Sequence, residues 1–376
     1  MATKIDTGAT DRELAKLNEQ MMNELHLTPT WHCYTEMVPK APKISYKPYL
    51  WKKDLLDYVI GRAGELVDLN RGGERRSFEV VNPDLRHLHG TTHTIAAALQ
   101  LVQPGEIAPP HRHLASAIRF IVKGRGAYTA VQGERLYMEP RDLILTPTWT
   151  WHEHGNETNE PIIWIDALDY PFNTLMQLSF FDHGGPGAGP NARPTGFTRN
   201  WQGLARPAWE SYPEEFPMVT YRWDETFKTM TALRGDQGSP YDGILLEYQH
   251  PFKQAPVLPT LSCYAQMLRS GEHTKARRTT ASNVFYVLEG SGHSVLDGQR
   301  FDWSEGDFFM VPPWCWTEHV ADSGKDALFF RLSDKPILDS FRMYREEAHP
   351  DKLQPKPATR FTPTKSPGAA TPGLTT

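Results

Sequence analysis

Two stretches of the chain follow one pattern. Residues 105–126 read GEIAPPHRHLASAIRFIVKGRG, and residues 271–292 read GEHTKARRTTASNVFYVLEGSG. Both begin with Gly-Glu, and in both a glycine follows nineteen residues after the first one. A second match joins residues 147–154, PTWTWHEH, to residues 312–319, PPWCWTEH. Such internal repetition is typical of a duplicated domain, so we expect two copies of one folding unit.

The sequence around both copies has the texture of β structure. From Ser77 onward, short alternating segments are separated by Gly, Pro and Asn at a spacing of roughly ten residues, which is typical of a β sandwich or barrel. Apolar residues at helical spacing precede this region, first after Thr10 and again over residues 52–66. We therefore predict a mainly β protein with two β-barrel domains and N-terminal helices.

The remaining segments divide the chain. The run GGPGAGP at residues 184–190 is typical of a linker, and the last residues are rich in Pro, Thr, Lys and Ala. The predicted organisation is an N-terminal helical region at 1–70, a first barrel domain at 71–175, a linker at 176–235, a second barrel domain at 236–345 and a flexible C-terminal tail at 346–376.

Composition excludes several classes of protein. The chain has 40 Lys and Arg against 45 Asp and Glu, a formal net charge of −5, which argues against a generic nucleic-acid binder. The three cysteines are far apart and form no CxxC pair, so neither a disulfide framework nor a cysteine zinc site is expected. No stretch approaches the about 18 apolar residues of a membrane span, and the N-terminus has no secretion signal. We therefore expect a cytoplasmic protein with neither a membrane nor a nucleic-acid partner.

Three histidines of the first copy form a candidate metal site. His111 and His113 are two residues apart, so on a strand their side chains project to the same face, and His152 is expected to complete the site. Neutral imidazoles suit Fe, Zn, Cu or Ni. The matching positions of the second copy hold Arg277, Thr279 and Thr317, although the surrounding residues persist. Because both copies need the same scaffold, the scaffold does not explain the three histidines.

The same comparison separates two further residues from their surroundings. Arg119 corresponds to Phe285, and Asp166 corresponds to Arg331. Both differ between the copies where the metal ligands differ, so both are candidates for the site. An arginine there is suited to an anionic substrate, because a guanidinium matches a carboxylate in a bidentate pair.

Small side chains precede the histidine motif. Strand alternation places Ala96 and Ala98 on one face, where they either enlarge a substrate cavity or pack within the core. Trp149 and His154 have counterparts in Trp314 and His319, so both are open to a structural role.

The two motifs Gly105-x5-His111-x-His113 and Pro147-x-Trp149-x2-His152-x3-Asn156 resemble those of the cupin superfamily. The glutamate ligand usual in cupins is absent, because Ala117 and Ile118 occupy its region. A bicupin with a single three-histidine site resembles the gentisate 1,2-dioxygenase family. That family includes salicylate 1,2-dioxygenases and 1-hydroxy-2-naphthoate dioxygenases, and the resemblance covers roughly residues 30 to 345.

The resemblance implies an Fe(II) enzyme and a homotetramer. Its reaction would insert O2 between the carboxyl-bearing and hydroxyl-bearing carbons of gentisate, salicylate or a substituted salicylate, in aromatic catabolism. The family's iron ligands fall on His111, His113 and His152. Its substrate-binding arginines fall on Arg71, Arg75 and Arg119, with Arg76 as a neighbour of the first two. A histidine that assists acid–base steps falls on His154, and an acidic pocket residue falls on Asp166.

Other functions compete with this interpretation. Ala96 stands where the family often has a larger aromatic side chain, which leaves a 1-hydroxy-2-naphthoate dioxygenase open. Cupin sugar isomerases and oxalate-processing enzymes usually keep the carboxylate ligand that this chain lacks. A non-catalytic metal-binding bicupin would suit the degenerate second copy, but intact histidines beside an arginine argue against it.

Overall fold

The structure, a computed structural model, describes residues 7–68, 76–184, 188–197, 220–251 and 253–367. The chain divides into two compact units, Met1–Ser45 and Tyr46–Thr376. Helices and strands are numbered here in chain order within the described residues. The strands are β1 Tyr49–Trp51, β2 Arg76–Glu79, β3 Ala96–Val102, β4 Ile107–His113, β5 Ala117–Lys123, β6 Tyr128–Val131, β7 Glu134–Tyr137, β8 Leu143–Thr146, β9 His152–Gly155, β10 Ile162–Leu168, β11 Phe181–His183, β12 Thr220–Tyr221, β13 Ile244–Glu247, β14 Gln249–His250, β15 Ala255–Pro256, β16 Ser262–Leu268, β17 Arg277–Thr279, β18 Asn283–Glu289, β19 Ser291–Leu296, β20 Gln299–Ser304, β21 Phe308–Val311, β22 Thr317–Ala321, β23 Ala327–Ser333, β24 Glu346–Ala348 and β25 Thr359–Arg360.

Helices are short and few beside these strands. They are α1 Thr7–Asn23, α2 Thr30–Met37, α3 Lys53–Leu66, α4 Tyr170–Leu175, α5 Trp223–Ala232 and α6 Lys335–Ser340, with a 3-10 helix at Pro83–Leu88. Among the described residues, no helix is both long and apolar enough to cross a membrane. The predicted helices are present as α1 and α3, and α1 begins at Thr7, three residues ahead of Thr10.

Two barrels make up the larger unit, and each consists of two facing sheets. The first barrel has the strand orders β12-β8-β5-β10-β3-β2 and β11-β4-β9-β6-β7. The second has the orders β1-β21-β18-β23-β16-β13 and β24-β17-β22-β19-β20-β25. Strand for strand, the central members of the two barrels correspond. This confirms the predicted mainly β fold with two barrels.

The barrels exchange their leading segments. β1 precedes the first barrel in the chain but pairs with β21 of the second, and β12 precedes the second barrel but pairs with β8 of the first. The helices that follow these strands begin on aspartates of the same barrels. Asp307 Oδ1 accepts the Lys53 N–H of α3 at 2.8 Å, and Asp142 Oδ1 accepts the Trp223 N–H of α5 at 2.9 Å. Each barrel is therefore completed by a strand and a helix that precede the other barrel in the sequence.

A continuous core joins the barrels. Phe120 of the first barrel stacks on Phe330 of the second, with ring centroids 4.0 Å apart and ring planes at 14°. Both rings are fully buried within one apolar cluster that draws residues from both barrels. Burial of this kind is the main favourable term in folding, so the two domains stabilise each other.

Two segments predicted as a linker and a flexible tail instead contribute strands. Within residues 176–235, β11 is an edge strand of one sheet of the first barrel, and β12 is an edge strand of the other sheet. Within the tail, β24 pairs with β17, and Gln354 donates its side-chain amide to the Val295 carbonyl at 2.8 Å. These strands have two or three residues each, too few to show alternation in the sequence.

Candidate active site

Strand pairing assembles the three predicted metal ligands inside the first barrel. His111 and His113 occupy alternate positions on β4, and His152 lies opposite His111 where β9 pairs with β4. The His152 ring centroid lies 4.2 Å from that of His111 and 4.7 Å from that of His113. All three side chains are buried, whereas Arg112 between the first two points out of the barrel and reaches an aspartate of the edge strand β11.

Each of these three rings is anchored in the same way. His111 Nδ1 lies 2.8 Å from the Pro109 carbonyl oxygen, His113 Nδ1 lies 2.6 Å from that of Ala115, and His152 Nδ1 lies 2.9 Å from that of Thr150. A carbonyl only accepts, so each Nδ1 carries the hydrogen and each Nε2 keeps its lone pair. This is the tautomer that a metal-binding histidine adopts, held by its second nitrogen. His152 Nε2 is buried and has no hydrogen-bond partner among the described residues.

His154 lies beside these ligands but is held differently. Its Nδ1 is 2.9 Å from the Thr129 hydroxyl, which either donates or accepts. In the second copy, which has Arg277, Thr279 and Thr317 in place of the three histidines, His319 makes the equivalent contact with Ser294 at 2.7 Å. By distance alone, one nitrogen each of His111, His152 and His154 lies within 4.8 Å of the others, a group that leaves out His113. The carbonyl anchors favour His113 as the third ligand, because the bond of His154 also exists where the ligands are missing.

The surroundings of His152 keep its imidazole neutral. Burial lowers the pKa of His152 well below its usual value, and the neighbouring His111, Arg119 and His113 lower it further. Since the neutral imidazole is the form that binds metal, this surrounding favours ligation near neutral pH.

In the second barrel, ion pairs replace the ligands. Arg277, the counterpart of His111, donates to Asp242 at 2.7 and 2.8 Å, and Arg331 donates to Asp242 at 2.7 Å. Burial opposes ionisation of Asp242, but Arg331 and Arg277 more than offset it, and the pKa of this carboxyl falls to about 2. The cavity left there measures about 30 Å³.

Arg119 and Asp166 lie opposite each other on neighbouring strands of the first barrel. Asp166 of β10 faces Arg119 of β5 on one side and Ala98 of β3 on the other. Arg119 is fully buried, donates Nη1 to the Thr146 hydroxyl at 3.0 Å, and holds Nη2 3.8 Å from Asp166 Oδ1. The positive charge of Arg119 therefore lies within the barrel near the histidines.

A cavity of about 280 Å³ opens beside the ligands. It is lined by Ser77, Glu79, Ala96, Ala98, His113, Ala115, Asp166, Leu168, Tyr170, Asn173, Ser179, Phe180 and Phe181. Three predicted pocket residues, Ala96, Ala98 and Asp166, thus share this cavity with a predicted ligand. In the second barrel, the strand equivalent to β3 carries Ser262 and Tyr264 at the two alanine positions. The smaller side chains of the first barrel leave the space that Tyr264 occupies in the second.

Two of the predicted substrate-binding arginines, Arg71 and Arg75, lie outside the described residues. Their neighbour Arg76 is buried and donates to both carboxylate oxygens of Glu106, at 2.8 and 2.9 Å, and to the Val67 carbonyl. The cation at position 76 is thereby engaged within the protein, which gives it a structural role.

Two further residues of the site had no sequence signal. Gln100 is buried on the same face of β3 as the two alanines, and neither end of its amide has a hydrogen-bond partner among the described residues. Its counterpart Gln266 donates to the Asp242 carbonyl at 2.9 Å. Phe181 lies over the ligands from β11, a three-residue strand within the segment predicted as a linker. The comparison of Gln100 with Gln266 carries no signal, because the two residues are identical and differ only in their partners.

Comparisons with known proteins show which family and which dioxygenases the chain is similar to. A family model described as the cupin domain matches residues 98–168 and 265–332. A 5-aminosalicylate 1,2-dioxygenase of Comamonas sp. is 44% identical over 90% of this chain and 91% of its own length, and gentisate 1,2 dioxygenase 1 of Aquipseudomonas alcaligenes is 35% identical over 85% and 92%. A salicylate 1,2-dioxygenase mutant from Pseudoaminobacter salicylatoxidans, solved in complex with gentisate, superposes with a TM-score of 0.80 at 34% identity, covering 93% of this chain and 98% of that one.

The fold, the three-histidine site and these relatives define a bicupin dioxygenase, an oxidoreductase. Within that class, the chain belongs to the gentisate 1,2-dioxygenase family, which includes the relatives named above. This confirms the family that the two histidine motifs indicate.

Proposed function

We propose that this protein is an Fe(II)-dependent dioxygenase that opens the ring of a 2-hydroxybenzoate between the carboxyl-bearing and hydroxyl-bearing carbons. The observation that carries the proposal is the set of three buried imidazoles, each anchored through Nδ1 to a backbone carbonyl, at the side of a cavity. The second barrel, which shares the scaffold, lacks the three histidines and has a cavity of only about 30 Å³.

The donor set fits a divalent transition metal. We assign His111, His113 and His152 as its ligands, because their Nε2 atoms carry the lone pairs and lie on one face of the sheet. Imidazole alone does not select iron over other metals, and the dioxygenase activity of the relatives supports iron. When bound, Fe(II) would supply a Lewis acid and a redox centre for O2, with positions left open by three protein ligands.

The residues around the ligands favour an anionic substrate. No carboxylate belongs to the ligand set, so the protein leaves the metal's charge to be balanced by the substrate. Arg119 adds a buried guanidinium, and we assign it to the substrate carboxylate, for which its planar fork is suited. Arg71 and Arg75, which lie outside the described residues, keep the same role as a prediction from the family resemblance.

His154 is the proposed proton carrier. Thr129 contacts its Nδ1 at 2.9 Å, which fixes the ring beside the ligands. Its ring centroid lies 5.7 Å from that of His152 and 6.0 Å from that of His111, within the reach of a group bound between them. An imidazole can both accept and donate a proton, which suits a general acid and base.

The cavity supports a substituted salicylate as the substrate. The small side chains of Ala96 and Ala98 give room beside the ring, and Asp166 and Glu79 place carboxylates at the cavity wall. A carboxylate accepts a hydrogen bond from an amino or hydroxyl substituent, so 5-aminosalicylate is the preferred candidate, in keeping with the 44% identical relative. The same two alanines favour 1-hydroxy-2-naphthoate as the second candidate, since a fused ring also needs space.

Oxygen uptake tests the proposed reaction. Protein reconstituted with Fe(II) without air is mixed with 5-aminosalicylate, salicylate, gentisate and 1-hydroxy-2-naphthoate, with benzoate as a control that lacks the hydroxyl. We expect uptake with at least one hydroxy acid, loss of its aromatic absorption, and none with benzoate. Iron-loaded protein that consumes oxygen with no member of the panel would overturn the proposal in favour of a non-catalytic bicupin.

We also propose a cytoplasmic homotetramer, as the family resemblance implies. The N-terminal unit supports subunit contacts, because Trp31, Tyr34 and Met37 on α2 are largely exposed in the single chain. Sedimentation of the full-length protein tests this assembly, and a monomer at micromolar concentration would contradict it.

A further inference from the structure

An ion pair joins the ligand strand β4 to the short strand β11. Arg112 donates Nε and Nη2 to Asp182 Oδ2 at 2.9 and 2.8 Å. The same guanidinium lies over two indole rings, 4.4 Å from the Trp149 centroid and 4.6 Å from that of Trp151. We call Arg112, Asp182 and these two tryptophans the clasp. An arginine held by a carboxylate and by aromatic faces at once is fixed in both direction and position.

The second barrel has an equivalent clasp. Arg278 on β17 donates to Glu347 on β24 at 3.1 and 2.7 Å, and its guanidinium lies 4.6 Å from the Trp314 ring and 4.4 Å from the Trp316 ring. Trp149 and Trp314 share an unusual backbone conformation, with φ at +60° in both. A bulky residue adopts this conformation at a cost. Its retention in both copies shows that the clasp belongs to the duplicated scaffold.

The residue beside the clasp carboxylate differs between the barrels. In the first barrel, Phe181 lies opposite His113, and in the second, Glu346 lies opposite Thr279. The barrel that has the three histidines therefore has a phenylalanine at this position, and the barrel that lacks them has a glutamate. Its ring is parallel to that of His111, with centroids 5.5 Å apart and planes at 5°, and it lines the cavity with 48% of its surface exposed.

We propose that the clasp positions the substrate cavity, since Arg112 and Asp182 hold β11 so that Phe181 forms the wall beside the ligands. This inference rests on the proposed function and names a specificity device for it. In it, Phe181 packs against the planar ring of the aromatic acid, and Arg112 and Asp182 are positioning residues that act through Phe181. β11 has three residues and pairs only with β4 among the described strands, so its short backbone ladder leaves the side chains to fix its place.

Substitution of Asp182 tests the clasp, with Glu347 as the matched control in the other barrel. Substrate affinity is measured without oxygen by calorimetry on Fe(II)-loaded protein, beside KM, kcat and iron content. We expect Asp182→Ala to raise Kd and KM about tenfold while iron content stays that of the wild type, because the aromatic wall is displaced. Glu347→Ala leaves Kd and KM unchanged, and Asp182→Glu, which retains the carboxylate, restores most of the affinity.

A double-mutant cycle separates positioning from general damage. If Asp182 acts through Phe181, then Phe181→Ala and Phe181→Ala/Asp182→Ala have the same Kd, because the second change has nothing left to position. Additive effects, or an Asp182→Ala protein that binds as the wild type does, would overturn the clasp while leaving the proposed function intact. A wild-type protein that carries iron and binds none of the aromatic acids would overturn the proposed function, and the clasp proposal with it.

Discussion

The hydroxyl of Thr94 in the first barrel donates a hydrogen bond to Asp334 Oδ2 in the second, at 2.6 Å. The reciprocal bond runs from Thr260 to Asp169 at 2.5 Å. Both aspartates also accept the backbone N–H of a serine in their own barrel, at Ser116 and Ser282. Asp169 and Asp334 begin the matching sequences DYP at 169–171 and DKP at 334–336. Each aspartate therefore fastens one barrel to the other, in an approximate two-fold relation.

Loss of one of these hydroxyls is expected to weaken the whole larger unit. Thr94→Val leaves a buried carboxylate short of a donor, so we expect the free energy of unfolding to fall by about 1–3 kcal/mol. Chemical denaturation monitored by fluorescence measures the change. Thr229→Val on the exposed face of α5 serves as the control, and an equal loss in both variants would contradict a special role for Thr94.

Much of the fold was predictable, because the chain contains two copies of one domain and each copy can be compared with the other. The repeated Gly-Glu and Trp-x-Trp motifs locate both barrels, and the replacement of three histidines by Arg277, Thr279 and Thr317 isolates the site. The exchange of β1 and β12 between barrels was not predictable, since two or three residues carry no period and their pairing is decided by packing. Phe181 was missed for the same reason.

Iron content distinguishes the two candidate sets of ligands. We expect His113→Ala to retain less than about one tenth of the wild-type iron, whereas His154→Ala keeps most of it, because outer residues affect metal affinity less than ligands do. Metal analysis after anaerobic reconstitution gives the answer, with His319→Ala as the control in the second barrel. The reverse order would assign the metal to His111, His152 and His154.

Replacement of Ala98 by tyrosine, the residue at the equivalent position of the second barrel, is expected to close the cavity. Ala98→Tyr fills the space beside Asp166, so we expect kcat/KM to fall by about a hundredfold or more while iron binding persists. Ala98→Gly, which keeps the space, is the matched control. Steady-state kinetics with 5-aminosalicylate check this, and full activity of the tyrosine variant would remove Ala98 from the cavity wall.

The ion pairs of Asp242 in the second barrel are expected to make the free energy of unfolding depend on pH. The pKa of Asp242 is about 2 in the folded protein and about 3.9 when unfolded, so its contribution is present above pH 4 and is lost as the pH falls through 2. Asp242→Asn leaves the buried Arg331 and the half-buried Arg277 without their anion, and we expect a loss of about 3–5 kcal/mol at neutral pH. Unfolding at pH 7, 4 and 2.5 should show the difference between wild type and variant shrinking, and a constant difference would contradict the ionised pair.

The most direct test of the account follows isotopic oxygen into the product. Fe(II)-loaded wild-type protein is mixed with the best substrate of the panel under ¹⁸O2, and the ring-opened product is analysed by mass spectrometry. We expect both atoms of one oxygen molecule to enter the product, and we expect His113→Ala to be inactive. A product that carries no ¹⁸O, or a ring that stays closed although iron is bound, would contradict a ring-cleaving dioxygenase.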